Sequence, residues 1–149
     1  MGIYSSSVKI FNGMHAADID NDVAARIRYC MAEAGVTQSE LARACGVGLD
    51  RINKYLNGHC REENMSIDLL KKIAAYLKKD TYYFCNDYLR FIDTADVPKE
   101  LRKQRQEKGM SRKMFANTYG IRLDSYKGYE HGDYRLPYKY WKKIFCHPV

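Results

Sequence analysis

The sequence predicts an all-α chain of two tandem helical units, the second shorter than the first, behind a short N-terminal arm. Three observations carry this. Apolar residues recur at three- and four-residue spacing, in runs that stop at glycines, as helices do at left-handed C-caps; only Tyr4 to Phe11 alternates over anything near a strand length. Residues 22–58 align without a gap over residues 96–132, and the 11 identities among 37 positions fall mainly on apolar residues and glycines, where a shared backbone demands them. Finally, Lys71-Lys72-Ile73 recurs as Lys142-Lys143-Ile144 at an offset of 71 instead of 74, so the second copy has a shorter connection. The expected division is an arm over 1–20, a first unit over 21–92 and a second over 93–149.

In the first unit, Val23, Ile27, Cys30 and Met31 fall at helical spacing behind the capping candidates Asn21 and Asp22, and the helix ends at Gly35. Thr37-Gln38-Ser39-Glu40 is a capping box, in which the Thr hydroxyl and the Glu carboxylate each satisfy an orphan amide. The short second helix, Gln38 to Cys45, buries Leu41, Ala42 and Cys45, and the small Ala42 lets a neighbouring helix approach. Gly46 takes a sharp turn with Val47 plugging the core beneath it. A third helix, about Leu49 to Leu56, buries Ile52, Tyr55 and Leu56 and exposes Asp50, Arg51, Asn53 and Lys54. Ile67, Leu70, Ile73, Ala74 and Leu77 mark a fourth helix, and Phe84, Cys85, Tyr88, Leu89 and Ile92 a fifth that closes the unit. The second unit repeats the plan and is expected to lack the fifth helix. Its third helix carries Gly128, which costs about 1 kcal/mol relative to alanine.

Composition narrows the function. With 46% hydrophobic and 13% aromatic residues, the 149-residue chain has enough apolar material for real cores and is not wholly disordered. No apolar run is long enough to span a bilayer, and the N-terminus lacks the layout of a secretory signal, though Met-Gly-x-x-x-Ser fits a loose acylation pattern. Five cysteines without a Cys-x-x-Cys pair argue against a disulfide framework and for a reducing cytoplasm. The neighbours His59-Cys60 and Cys146-His147 chelate poorly, and Asp18, Asp20 and Asp22 lack the glycine and distal glutamate of a calcium loop, so no metal is expected. There is no His-x-x-x-His and no phosphate loop, and Glu62-Glu63 reads as solvated loop, so neither an enzyme nor a cofactor is expected. The net charge of +7 lies wholly in residues 95–149, with 13 Lys+Arg against 6 Asp+Glu, while residues 1–94 balance at 12 against 12. That asymmetry points to a polyanion partner for the second unit, or to a solvated basic surface.

Two short helices meeting across a glycine turn inside a helical bundle is the helix-turn-helix arrangement. TQSELARACGVGLDRINKYLNG, residues 37–58, resembles the Cro and phage-repressor family from its helix-two glutamine to the Asn-Gly after its recognition helix. SRKMFANTYG, residues 111–120, is a looser match. GYEHGDYRLPYKYWKKIF, residues 128–145, resembles the family's aromatic-Glu-x-Gly segment, which leads through a proline to an amphipathic fourth helix. The resemblance implies that the start of helix two, Gln38 with Ser39 and Arg112 with Lys113, touches phosphate or a base edge. It also implies that the first turns of helix three enter the major groove, presenting Gly48, Leu49, Asp50, Arg51, Asn53 and Lys54, and in the second unit Arg122, Leu123, Asp124, Ser125, Lys127 and Gly128.

Arg and Asn are suited to bidentate contacts with guanine and adenine, and Asn57 to a phosphate that fixes register. Each position has a plainer reading. Gln38 is also a solvated capping-box residue. Asp50 and Asp124 suit helix N-termini whatever the ligand. Leu49 and Leu123 either pack back on helix two or meet a thymine methyl. Arg51, Lys54 and Lys127 are surface charges unless DNA lies against them. The chain is therefore expected to be a cytoplasmic, sequence-specific double-stranded DNA-binding transcription regulator. Its expected role is repressor of a bacterial, phage or mobile-element operon, acting as a homodimer or as a covalent pair of reading heads that gains affinity through effective concentration. The alternative is a protein-interaction module of the same fold, antitoxin-like or a phage-encoded inhibitor, whose tyrosines (Tyr119, Tyr126, Tyr129, Tyr134, Tyr138 and Tyr140) form an interface with a protein partner.

Overall fold

The computed structural model describes residues 22–146. The N-terminal arm, the Tyr4–Phe11 alternation, the acylation pattern and His147 lie outside the described residues. Within them all regular structure is helical, nine α-helices and one 3-10 turn, Glu62–Asn64. The chain divides into two compact units between Asn86 and Asp87.

The first unit holds α1 (Val23–Ala34), α2 (Gln38–Cys45), α3 (Leu49–Leu56) and α4 (Ile67–Tyr76). Asp22 opens α1 by accepting from the backbone N–H of Ala24 at 3.0 Å, and Gly35 closes it with φ 68°. The capping box at α2 is complete: Glu40 N–H donates to the Thr37 hydroxyl at 3.1 Å, and Thr37 N–H donates to the Glu40 carboxylate at 3.0 Å. The Thr37 backbone N–H, and after it the Thr37 hydroxyl, hold the Glu40 carboxyl below its ordinary value. Ile27, Leu41, Ile52, Leu56, Leu70 and Ile73 form the core, each at most 1% exposed. Burying a side chain of this size contributes roughly 1.5–3 kcal/mol. Val47 is only half-buried and does not plug the core as expected. Glu62 is not a solvated loop residue: its carboxylate accepts from Val23 N–H at 3.3 Å and from the Asn86 amide at 3.5 Å.

The second unit holds α5 (Asp87–Thr94), α6 (Val97–Glu107), α7 (Arg112–Thr118), α8 (Leu123–His131) and α9 (Tyr138–Phe145). The compact units part between Asn86 and Asp87, six residues before the boundary expected after residue 92. Phe84, Cys85, Tyr88, Leu89 and Ile92 look like one helical stripe, but residues 81–84 form turns and the helix begins at Asp87. α5 belongs to the second unit because its aromatic side is used there: Tyr88 meets Tyr138 and Trp141 edge-on at 5.3 and 5.5 Å, and Phe91 meets Phe145 at 4.9 Å. The Tyr88 hydroxyl donates to the Leu136 carbonyl at 2.6 Å. The second unit thus has a fifth helix, placed before the repeat instead of after it, and the first unit has four α-helices among the described residues.

Each copy of the repeat, 22–58 and 96–132, runs long helix, glycine, short helix, glycine, short helix, glycine. Every glycine with positive φ belongs to a matched pair, among the described residues: Gly35 with Gly109, Gly46 with Gly120, Gly58 with Gly132. Residues with side chains are strained in that region. A second shared device sits at the end of the third helix. Arg28 donates through Nη1 to the carbonyl of Leu56, and Arg102 through Nη1 to the carbonyl of Glu130 at 3.0 Å. Both arginines cross 28 residues to satisfy a terminal helix carbonyl that has no partner within its own helix.

Candidate nucleic-acid interface

In the first unit, α2 and α3 meet across Gly46, whose φ of 69° turns the chain before Gly48 caps α3. The turn rotates α3 so that Ile52, Tyr55 and Leu56 face inward, and the Tyr55 hydroxyl accepts from Ser66 N–H at 2.8 Å, fixing α3 against the start of α4. The opposite face is open. Gln38, Ser39, Gly48, Asp50, Arg51, Lys54 and Asn57 are exposed, and Asn53 is half-buried. Leu49 is 43% exposed, so it stands out beside Asp50 rather than packing back on α2. No side-chain hydrogen bond or ion pair within the described residues engages Gln38, Arg51, Asn53, Lys54 or Asn57. Arg51 and Lys54 lie one helical turn apart.

The second unit departs from this pattern in two places. Arg112, at the position of Gln38, turns inward: its Nε lies 3.4 Å from the Glu130 carboxylate, and its side chain is 45% exposed. Glu130, only 1% exposed, also takes Arg105 Nε at 2.6 Å, Arg105 Nη2 at 3.3 Å and a short bond from the Tyr126 hydroxyl. Burial opposes its ionisation, but Arg105, Tyr126 and Arg112 together hold its pKa below the ordinary carboxylate value. The Tyr126 hydroxyl is pushed well up, first by burial and then by its bond to Glu130 and that group's charge.

The second departure is at Gly128, expected among the groove-facing positions. It is buried instead, and an added Cβ would lie 2.2 Å from the Tyr134 ring. The expected penalty for glycine in this helix therefore has a cause, because the ring occupies the space where a side chain would stand. Lys113, Arg122, Asp124 and Lys127 are exposed, and Ser125 and Leu123 half-buried. Arg122 takes the N-cap of α8, where the first unit has Gly48.

The buried cluster leaves no signal within a single unit. Its signal lies in the repeat: Met31, Ile52 and Leu56 become Arg105, Tyr126 and Glu130, three core positions turning polar together with complementary charge.

Two of the five cysteines serve packing. Cys30 and Cys45 are buried, and burial pushes both thiols up and away from thiolate chemistry. Among the described residues no helix is long and apolar enough to cross a membrane.

A helix-turn-helix family model matches residues 27–84, from within α1 past the end of α4. No curated protein and no solved structure matches the chain.

Proposed function

We propose that the chain is a sequence-specific double-stranded DNA-binding transcription regulator that acts by occupying an operator, most simply as a repressor in the cytoplasm. The first unit is its principal reading head. α3 enters the major groove with Leu49, Asp50, Arg51, Asn53 and Lys54 toward base edges, while Gln38, Ser39 and Asn57 reach phosphates. The observation that carries this reading is the open α3 face, with Arg51 and Lys54 unpaired among the described residues, on a segment that matches a helix-turn-helix family model. The second unit is a variant helix-turn-helix domain, and copies of the chain pair to occupy a two-fold site.

A second reading holds for the second unit alone: it grips a protein partner. The tie between Arg112 and Glu130 favours it, since a guanidinium held by a buried carboxylate has less to offer a phosphate. Salt dependence separates the two. Affinity for duplex DNA should fall linearly with salt on logarithmic axes, at a slope of about −0.9 per phosphate contacted. Replacing Lys113 and Lys127 with Ala should lower that slope by up to about 1.8, because both are exposed and neither is paired among the described residues. An unchanged slope assigns the second unit to a protein partner.

A further inference from the structure

Gly128 and Tyr134 form one device. Gly128 lies on α8 three and four residues beyond Ser125 and Asp124, so it shares their side of the helix. In the first unit the matching residue is Lys54, exposed on the groove-facing side. The second unit has no side chain there. Instead the chain leaves α8 through Gly132, and the loop is tied back to the Gly128 carbonyl by Asp133 N–H at 2.9 Å and Tyr134 N–H at 3.4 Å. The Tyr134 ring then lies on Gly128, edge-on to Tyr129 at 6.5 Å. Although seated on the backbone, Tyr134 is 63% exposed. A seat that fixes an aromatic side chain yet leaves most of it in water does little for the core.

We infer that Tyr134 is the second unit's specificity-determining contact with duplex DNA, supplied by a loop in place of the side chain that α8 lacks at Gly128. The inference rests on the DNA-binding reading above. A ring held on a groove-entering helix presents an apolar edge to a thymine methyl and a hydroxyl to a neighbouring acceptor. A polyanion is favoured over an apolar protein surface because residues 87–149 hold 14 Lys+Arg against 8 Asp+Glu, with exposed Lys127 next to Gly128.

The test uses the full chain and duplexes enriched from a randomised pool by the wild-type protein. Tyr134→Ala should weaken binding to them by about 5- to 150-fold, the range for losing one base-edge contact, and should erase the preference at a few adjacent base pairs. Tyr134→Phe, which keeps ring and seat, should retain most of the affinity. Gly128→Ala displaces the ring and should reproduce the loss, while Gly128→Ala/Tyr134→Ala should bind no worse than either single variant. If Tyr134→Ala binds as wild type, or if the two losses add in full, the inference is overturned. Arg51→Ala run in parallel distinguishes the failures: sequence preference lost there but untouched by Tyr134→Ala overturns this inference alone. A wild-type chain that enriches no duplex removes both readings.

Discussion

Glu130→Leu should destabilise the second unit by about 3 kcal/mol, the lower end of the cost of stripping one partner from a buried ion pair. For a unit of this size that is a large share of its total stability. The cost arises because Arg105, whose side chain is only 15% exposed, keeps its charge and loses the carboxylate that compensates it, and the Tyr126 hydroxyl loses its acceptor. The first unit supplies a control. At the matching positions it has Met31 and Leu56, both buried, so this backbone does not need charge there. The triple change Arg105→Met, Tyr126→Phe, Glu130→Leu should therefore recover most of the loss, since well-packed apolar groups replace buried ion pairs at little or no cost. Denaturant unfolding of the three proteins checks this, and a triple variant as unstable as the single one contradicts it. The acid response follows from the same group. Glu130 has a folded pKa below its unfolded one, so its contribution is present above the unfolded carboxylate value of about 4.3 and lost as pH falls through the folded value. Wild type should lose stability over that acid range more steeply than the triple variant.

Arg51→Ala should weaken binding to a selected site by roughly 1–3 kcal/mol while barely changing binding to scrambled duplex, as expected for a guanidinium that reads a base edge. Arg51 is exposed on α3, on the side away from the buried Ile52, Tyr55 and Leu56. Thermal stability should shift by less than about 0.5 kcal/mol. An equal fall on selected and scrambled DNA makes Arg51 a phosphate contact and moves the base-reading role to Asn53 and Lys54.

Much of this was legible in the residues because the decisive signals were local. The Asp22 cap, the Thr37–Glu40 box and the left-handed Gly35 and Gly46 are short-range devices, and each formed where its residues stood. The apolar stripe Ile52, Tyr55, Leu56 fixed which side of α3 faces inward. What escaped depended on partners far along the chain. α5 looked like the end of the first unit because Phe84 to Ile92 keep helical spacing across a break, and only Trp141, Tyr138 and Phe145 reveal where its aromatic side packs. Arg112 looked like a free cation because Glu130 lies 18 residues away, and Gly128 looked like a weak spot because its occupant comes from the following loop.

Selection of bound duplexes from a randomised pool by the intact wild-type chain tests the central claim most directly. The expected result is a defined motif, enriched over several rounds, whose information content collapses when the same selection is run with Arg51→Ala. A folded wild-type chain that retains duplex DNA at low salt, yet enriches no sequence over the input pool, would contradict it.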